Sequence, residues 1–350
     1  MAKKQVGKQT IRFLHPPVIQ GAASVVGKKE GEGPYGEWFD CIEKDPKMGG
    51  DSWEEAEGKF QEKAAKLAIE HAGLQQKEIR YIVAGDLLGQ LMASSFGLLS
   101  LQIPLFGVYG ACSTMGESMG IAAMIVEGGF ADHALALTSS HFASAEKQFR
   151  FPLGYGSQRK MASTWTVTGS GAVIISSEKM AQKANMSDKN KVHITGITTG
   201  KIVDFGVKDS MNMGACMAPA AGNVIVQNLI DNGRKPEWYD KIITGDLGLV
   251  GKDILLDITR SKGYDIADRY MDCGIEIYSR EQEIQAGGSG CGCSASMLAG
   301  YIVKMLEKGT WQRVLFVPTG ALLSPVSFNE GDSVPGIAHA VVFECSGESQ

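Results

Sequence analysis

Two stretches of this chain decide its fold: IRYIVAGDL at residues 79–87 and WYDKIITGDLGL at residues 238–249. Each is a short apolar run that ends in Gly-Asp-Leu, a pattern typical of a buried strand followed by a turn. The two aspartates, Asp86 and Asp246, stand 160 residues apart. They occupy the same point of two similar units, which indicates that the chain contains an internal repeat.

The residues that precede each strand predict an amphipathic helix, over 53–74 in the first unit and from 218 to 233 in the second. Asp51 or Ser52 is placed to cap the first helix, and Gly73 to end it in a left-handed conformation. Each unit therefore predicts a helix followed directly by a buried strand.

A second pair of similar segments lies further along the chain, where residues 119–140 match residues 298–320. Each of these segments predicts a helix, a tight glycine turn and a strand that ends in small polar residues. Gly129 and Gly309 fall at the turn, so the spacing between the copies is here 180 residues. The repeat thus extends over most of both halves of the chain.

Helices and strands that alternate in this way predict a parallel or mixed α/β sheet. Because the unit occurs twice, we expect two pseudo-symmetric halves, residues 1–185 and 186–350, forming α/β/α/β/α layers. Ligands of open α/β sheets bind beyond the strand ends. The site is therefore expected between the halves, where the glycine-rich loops 108–116 and 287–296 each open a helix.

The composition narrows the class of protein. The 350 residues are 44% hydrophobic and 21% charged, which excludes a disordered or collagen-like chain. A net charge of -5 argues against nucleic acid as a partner. The uncharged stretch 87–116 is long enough to span a bilayer, but polar residues and glycines interrupt it, so we interpret it as a buried segment. Seven cysteines and the polar first ten residues predict a reduced, intracellular protein without a signal peptide.

Cys112 lies in the loop VYGACSTMG, beside Ser113 and directly before a predicted helix. The N–H groups and dipole of a helix N-terminus stabilise a thiolate, so we expect a lowered pKa and nucleophilic character for this thiol. The competing interpretation is a small buried hydrophobic residue, which cysteine often is. Its position in the sequence does not separate the two.

A catalytic cysteine also needs a base and an oxyanion stabiliser. His141 follows a predicted strand, at the end where a site would lie, and His339 opens the last strand. Asp86 and Asp246 end buried strands, where a carboxylate must be hydrogen-bonded, paired or metal-bound. The alternative role for either aspartate is a turn cap, but for Asp86, which precedes the uncharged stretch leading to Cys112, we favour the functional role.

Cys291 and Cys293 form C-x-C in the loop GGSGCGC, which differs from the paired C-x₂-C of zinc sites, so we interpret them as packing residues at a helix start. The same loop lacks the acidic residue that a dinucleotide fingerprint requires, and we expect no cofactor and no resident metal. Arg150, Arg159 and Lys160 lie close together in sequence. They either face an anionic ligand or form an exposed loop.

These motifs together resemble the thiolase superfamily, which includes thiolases and the ketoacyl synthases of fatty-acid synthesis. The resemblance covers most of the chain and centres on GACSTMGES at residues 110–118, where Cys112 matches the nucleophile of the family. It implies a thiolase-like, five-layered α/β/α/β/α fold. It also implies a homodimer formed through strands of the N-terminal half.

The chain departs from the enzymes of this superfamily at the other catalytic positions. After the strand where ketoacyl synthases have a histidine, this chain has Asp246, and the loop GGSGCGC contains no asparagine. The G-H-P histidine and C-x-G cysteine of thiolases are missing from residues 318–336. We therefore expect that the protein is not an enzyme, since a thiol without base or oxyanion donors should not condense or cleave thioesters.

Within the superfamily, the chain most resembles a branch found in spore-forming bacteria, through residues 15–40 and the loop AGGSGCGCSASM. That branch implies binding of dipicolinic acid, free or as its calcium chelate, and uptake of this compound into the developing spore together with membrane proteins. It further implies a peripheral association with the inner spore membrane. The expected ligand contacts are Asp86, Cys112, Ser113, His141, Asp246 and Cys291.

Two other functions stay open at this point. One is a condensing or acyl-transferring enzyme that uses Cys112 on acyl-CoA or acyl-carrier substrates, with His141 or His339 as an unrecognised base. The other is a structural subunit whose pocket is vestigial, which predicts no ligand.

Overall fold

The computed structural model describes residues 3–149, 160–183 and 190–345. Most of its strands join one continuous sheet, while β8 pairs with β13 and β15 with β16 in two small ones. The strands are β1 (Gln5–Val6), β2 (Thr10–Arg12), β3 (Val18–Gly27), β4 (Cys41–Glu43), β5 (Tyr81–Gly85), β6 (Leu105–Gly107), β7 (His133–Ser140), β8 (Trp165–Thr166), β9 (Gly169–Ser176), β10 (Val192–Thr198), β11 (Lys241–Thr244), β12 (Tyr270–Asp272), β13 (Gly288–Ser289), β14 (Arg313–Val317), β15 (Thr319–Ala321), β16 (Gly336–Ala338) and β17 (Ala340–Cys345).

The helices vary widely in length. They are α1 (Lys28–Gly31), α2 (Trp53–His71), α3 (Met92–Gly97), α4 (Thr114–Glu127), α5 (Phe142–Phe149), α6 (Glu178–Lys183), α7 (Met213–Asn232), α8 (Gly248–Ser261), α9 (Cys273–Glu276), α10 (Cys291–Met297), α11 (Val303–Glu307) and α12 (Pro325–Asn329). A π-helical segment over Leu298–Ile302 joins α10 to α11.

The main sheet is built from two matching halves. Its strand order is β12-β11-β14-β17-β10-β3-β9-β7-β5-β6. In each half the three outermost strands are parallel to one another. The strands nearer the centre of the sheet pair antiparallel. Along this strand order, the two halves join where β10 pairs with β3 over two residues. This arrangement confirms the pseudo-symmetric repeat.

Helices cover both sides of each half sheet. α2 packs on β3, β7 and β9, and α3 packs on α2, while α7 and α8 pack together on the other side of the molecule. Between them, α4 and α10 contact each other and the strands of the first half, and α4 also reaches β17 of the second. These five layers are α/β/α/β/α, which confirms the predicted fold class.

The apolar core follows the same layers. One buried cluster lies around α4 and α10 and includes Met115, Met119, Phe316 and Phe343. A second surrounds α7, and a third lies under α2. Gly171 of β9 shows how closely the central helix approaches the sheet, because a Cβ there would lie 2.0 Å from the backbone oxygen of Ala295 in α10.

The helices that the repeat predicts are present, and one begins earlier than expected. Ser52 caps α2 by accepting a hydrogen bond from the Glu55 N–H at 3.1 Å, and Gly73 has the expected positive φ of 67°. α7 begins at Met213, five residues before the predicted start, because the Asn212 side chain caps it there. Gly129 and Gly309, the matched turn glycines, have φ values of 79° and 73°.

The uncharged stretch 87–116 does not form a long helix, but consists of short helices, turns and the edge strand β6. Among the described residues, one helix, α7, is long and apolar enough to cross a membrane by length and composition. Of the 18 most apolar consecutive residues of this helix, 67% are buried inside the molecule, as in the core helix of a globular fold.

The division into residues 1–185 and 186–350 stays a prediction. The sheet of the second half begins with β10 at Val192, close to that boundary. The N-terminal strand β2 nevertheless pairs with β10, and the N–H groups of Lys8, Gln9 and Thr10 donate to Asp231 on α7. The first residues of the chain thus pack on the second half.

Candidate functional site

A tight loop places Cys112 at the start of the central helix α4. Ala111 holds an uncommon left-handed conformation, with φ of 50°, which turns the chain directly before the cysteine. The Ser113 hydroxyl donates back to the Gly110 carbonyl at 2.7 Å, and the Thr114 hydroxyl donates to the Ala111 carbonyl at 2.5 Å. The loop is therefore fixed by its own side chains, and the Ser113 hydroxyl is engaged in it.

Asp246 lies against the Cys112 thiol from the second half of the molecule. Its carboxylate hydrogen-bonds the thiol and accepts from the Gly290 N–H at 2.8 Å and the Thr319 hydroxyl at 2.9 Å. Gly290 has φ of 100°, a conformation that favours glycine and aims its N–H at the carboxylate. The strand-end aspartate of one half thus meets the cysteine loop of the other, between the halves, where the repeat predicts a site.

Burial raises the pKa of Asp246 to about 7, although the hydrogen bonds from Cys112, Gly290 and Thr319 act in the opposite direction. Burial also raises the pKa of Cys112 well above its ordinary value, and the neighbouring Asp246 and Cys291 add to the increase. The prediction of a lowered thiol pKa is therefore wrong. The desolvation of the thiol and the adjacent carboxylate outweigh the favourable field of the helix N-terminus.

A narrow cavity opens beside the thiol, with about 30 Å³ open to a water-sized sphere. Its wall is mostly apolar, with hydroxyl groups and one carboxylate: Leu87, Tyr109, Ala111, Cys112, Glu146, Thr166, Met213, Ser289, Gly290, Ala321 and Leu323. We call this the Cys112 cavity. None of its described lining residues is a histidine, lysine or arginine.

Glu146 in this wall carries no signal in the sequence that would single it out. One of its carboxylate oxygens accepts from both the N–H and the hydroxyl of Thr166, at 3.3 and 2.9 Å. Its side chain joins α5 to β8, two elements that are adjacent only in the folded chain. No local pattern in the sequence connects Glu146 to Cys112, so its position beside the thiol could not be predicted.

Asp86, the counterpart of Asp246, does not line the Cys112 cavity. It is fully buried and accepts from the Leu88 N–H at 2.8 Å and from the N–H and hydroxyl of Ser94 at 2.8 and 2.6 Å. These bonds fix the turn that follows β5 and the start of α3. The arrangement is the turn cap that the sequence left open as the alternative role.

Behind the cavity lies a buried polar network that includes Glu57 on α2. Its carboxylate accepts from the hydroxyls of Ser139 and Ser144 at 2.8 and 2.5 Å. The Gln61 amide donates to Ser139 and to Ser94, and Ser94 bonds to Asp86. Burial raises the pKa of Glu57 to about 8, and the charge of Asp86 adds to the increase. This network was missed, although an acid and an amide one turn apart on the apolar face of a helix are a usable signal.

Cys291 belongs to the same region. Its thiol donates to the Ser139 carbonyl at 2.9 Å, and it shares a small buried cluster with Leu87, Cys112 and Ala145. Cys291 and Cys293 are both fully buried at the start of α10, in agreement with their interpretation as packing residues. The described residues contain no group of three or more His, Cys, Asp or Glu side chains that could hold a metal ion.

His141 lies away from the Cys112 cavity, so the expectation that it forms the rim of that pocket is wrong. Its Nε2 hydrogen-bonds the Pro46 carbonyl at 2.8 Å, and its Nδ1 accepts from the Ala143 N–H at 3.1 Å. Burial lowers its pKa. Both nitrogens therefore serve the packing of the β7–α5 turn. His339 is likewise no part of the described lining, and burial lowers its pKa to about 4.

The basic residues of 147–160 can be placed only in part. Lys160 is exposed and pairs with Asp209 at 3.0 Å. Arg150 and Arg159 lie outside the described residues. Contacts between these arginines and an anionic ligand stay a prediction.

Comparison with known families identifies a close relationship. The family described as stage V sporulation protein AD matches residues 7–344 of the chain. The stage V sporulation protein AD of Bacillus subtilis (strain 168) is 43% identical over 344 residues, which cover 98% of this chain and 99% of that protein.

Solved structures with the same fold are condensing enzymes of much lower identity. The 3-oxoacyl-[acyl-carrier-protein] synthase III of Aquifex aeolicus VF5 gives a TM-score of 0.56 at 13% identity and covers 94% of this chain and 99% of that chain. OleA from Xanthomonas campestris with bound cerulenin gives a TM-score of 0.58 at 14% identity and covers 95% of this chain and 97% of that chain. At this identity the likeness shows a thiolase-like fold and nothing about activity.

Proposed function

The chain belongs to the stage V sporulation protein AD family, and from this premise we propose that it binds dipicolinic acid in the Cys112 cavity. The ligand is pyridine-2,6-dicarboxylic acid, free or as its calcium chelate. Binding supports its uptake into the developing spore, together with other stage V sporulation A membrane proteins, with which this chain associates peripherally at the inner spore membrane.

The observation that supports the proposal is the pairing of Cys112 with Asp246 beside a cavity whose described lining contains no histidine, lysine or arginine. A buried thiol with a raised pKa is a poor nucleophile, and a carboxylate beside it opposes the negative charge that thioester chemistry develops. No histidine lines the cavity among the residues described. We infer that the protein retains the fold and pocket of a condensing enzyme for binding rather than for turnover.

The polar groups of the cavity are suited to orient a small planar acid. The hydroxyls of Tyr109 and Ser289 can donate to a carboxylate, while Leu87, Ala321 and Leu323 can contact the faces of a ring. The open volume of about 30 Å³ holds about two water molecules, which is less than a pyridine ring needs. Entry therefore requires Met213 and Leu323 to move outward.

The charge of the cavity favours a neutralised ligand. Glu146 lies in the wall and Asp246 lies directly behind the thiol. A dicarboxylate dianion is repelled less when Asp246 is protonated, and the pKa of about 7 leaves this carboxyl largely neutral below pH 7. Calcium offers the other route, because the metal compensates the ligand charge and can accept carboxylate oxygens from the wall.

We also propose a homodimer formed through β6. This strand is the end of the main sheet, so one row of its backbone groups has no strand partner among the described residues. Several large apolar side chains around it are exposed, namely Phe96 (72%), Leu99 (63%), Phe106 (48%) and Tyr109 (46%). Pairing of two such edges across a two-fold axis would bury them, and Phe106→Lys should shift the chain to monomers in sedimentation velocity.

Isothermal titration calorimetry with dipicolinic acid, with and without calcium, tests the ligand. Saturable one-to-one binding is expected, and Leu323→Trp, which fills the mouth of the cavity, should abolish it. Leu249→Trp is the matched control, because Leu249 is exposed and lies on α8, outside the cavity. Binding that survives Leu323→Trp would place the ligand elsewhere, and no binding under either condition would reject the ligand.

The alternative is an acyl-transferring or condensing enzyme, which the cysteine at the position of the family nucleophile favours. Incubation with an acyl-CoA, followed by mass spectrometry of the intact chain, distinguishes it. Acylation of Cys112 with release of free CoA thiol would support the enzyme, and the binding proposal predicts none.

A further inference from the structure

A second cavity lies on the other side of α5 and β8 from the Cys112 cavity. It has a volume of about 510 Å³ and is lined by residues of α1, the start of α2 and the turn into α5. Trp165 of β8 and Phe142 of α5 face this second cavity, whereas Thr166 and Glu146 of the same two elements face the Cys112 cavity. The two cavities therefore share a wall and no lining residue, and we call the second one the tryptophan cavity.

Four aromatic rings lie in its wall, those of Trp53, His141, Phe142 and Trp165. Trp53, at the first position of α2, lies against the His141 ring with centroids 5.5 Å apart. Phe142 and Trp165 stack at 4.1 Å with an angle of 18° between their planes. His141 cannot easily rotate, since both of its ring nitrogens are hydrogen-bonded. The walls are thus flat, half-buried and held in place before any ligand arrives.

The rim of the tryptophan cavity is cationic. Lys28, Lys29 and Lys44 line it, and the Lys29 ammonium lies 4.5 Å from the centre of the Trp165 ring. Of the two acids in the lining, Glu32 is exposed and pairs with Lys28 at 3.7 Å. Glu30 is buried, where it accepts hydrogen bonds from Tyr278 and from the Thr168 N–H. Lys44 remains exposed at the entrance, so the rim is positive.

We propose that the tryptophan cavity is a second ligand site, specific for planar aromatic carboxylates. The Lys47 ammonium lies 5.1 Å from the centre of the Trp53 ring. When Lys47 moves aside, a flat ring can stack on Trp53, and its carboxylates can pair with Lys47 and with the lysines at the rim. A volume of about 510 Å³ is within the range of small-molecule sites. The site is independent of the proposed function. Dipicolinate belongs to the same chemical class, so in the absence of calcium we expect it to bind here as well, but more weakly than in the Cys112 cavity.

Isophthalate (benzene-1,3-dicarboxylate) is the probe that separates the two sites. It has a planar ring and the same carboxylate spacing as dipicolinate, but lacks the ring nitrogen that completes a calcium chelate. Calorimetry of the full chain at low ionic strength should give saturable binding in wild type and equally in Leu323→Trp. Trp53→Leu should weaken this binding about tenfold, and Trp53→Phe should largely retain it.

Charge and specificity are tested by two further variants. Lys44→Ala, an exposed residue whose replacement leaves the core intact, should weaken isophthalate about threefold and reduce the salt dependence of binding. Trp238→Leu, which removes a half-buried tryptophan far from the cavity, should leave binding unchanged. Absence of saturable binding, or binding indifferent to Trp53→Leu, would overturn the proposal. Loss of isophthalate binding in Leu323→Trp would assign the probe to the Cys112 cavity instead, whereas failure of dipicolinate alone would bear only on the proposed function.

Discussion

Asp86 and Asp246 stand at the same point of the two halves, yet their contacts differ. Asp86 accepts three hydrogen bonds from Leu88 and Ser94, all within the turn that follows its own strand. Asp246 accepts from Gly290 and Thr319 and contacts the thiol of Cys112. One carboxylate is fully engaged in local structure, and the other reaches across the molecule to the cavity.

The comparison shows that the repeat determines where each aspartate lies in its half but not what its carboxylate does. Both aspartates end a buried parallel strand, and both are fully buried. What separates them is the loop that approaches each one: a turn rich in N–H donors at Asp86, and the cysteine loop of the opposite half at Asp246. Four predictions test this contrast.

The largest effect is expected from Asp86→Ala. It leaves two backbone N–H groups and a hydroxyl without a buried acceptor, at about 1–3 kcal/mol each, so the free energy of unfolding should fall by at least about 3 kcal/mol. Asp246→Asn retains an acceptor and should cost about 1 kcal/mol or less. Urea denaturation followed by circular dichroism measures both. Equal losses for the two would contradict the division of roles.

The second prediction concerns pH. The pKa of Asp246 is raised to about 7 and that of Glu57 to about 8, both chiefly by burial, so the native chain binds more protons than the unfolded chain in this range. Four histidines have pKa values lowered by burial and protonate more readily in the unfolded chain, so they add stability as pH rises to about 7.5 and offset part of this decline. The net stability should therefore decrease by about 1 kcal/mol as pH rises from about 7 to about 8.5.

Glu57→Gln and Asp246→Asn should each flatten this decline, because each removes one of the titrating groups. Thermal unfolding at several pH values, with Glu281→Gln as an exposed control, is the measurement. A decline of the same steepness in both variants would show that other groups cause it.

The third prediction concerns the reactivity of Cys112. Its raised pKa and its burial should make alkylation by iodoacetamide slow at pH 8, and Asp246→Asn should accelerate it about tenfold by removing the adjacent carboxylate. Mass spectrometry of peptides resolves each cysteine, and Cys345, which is half-buried elsewhere, is the internal control. If Cys112 reacts fastest in the wild type, it is an activated nucleophile and the binding proposal is weakened.

The smallest effects on stability are expected at two helix caps, one in each half of the molecule. Ser52→Ala should destabilise the chain by about 1 kcal/mol, because the hydroxyl accepts from the Glu55 N–H at 3.1 Å. Asn212→Ala should cost about half as much, since its bond to the Ala215 N–H is longer, at 3.3 Å. A larger loss of stability for Asn212→Ala than for Ser52→Ala would show that Asn212 stabilises the chain through more than its cap hydrogen bond.

The elements and their order could be predicted because they depend on short-range patterns. The strand ends at Asp86 and Asp246, the cap at Ser52 and the turn glycines Gly129 and Gly309 all follow from residues within one turn of each other. The start of α7 was predicted too late, since the polar side chain of Asn212 lies outside the apolar pattern. The location of the site between the halves followed from the repeat, which is a long-range signal, but the pairing of Asp246 with the Cys112 loop did not.

The chemistry of the site could be predicted only in part. His141 follows the right strand, but its ring turns to the Pro46 carbonyl on the other side of α5. Cys112 lies at a helix start as expected, yet burial and Asp246 set its pKa. Glu146 and Glu57 reach the region through packing of α5 and α2, which no spacing in the sequence encodes.

By itself the sequence determined the doubled α/β unit, the layers and the position of Cys112 between the halves, because hydrophobic periodicity and turn residues act locally and occur twice. Only the tertiary structure decided which side chains meet there and how they are charged. Burial, hydrogen bonding and the proximity of other charges depend on elements far apart in the chain, and these three quantities set the pKa values of Cys112, Asp246 and Glu57.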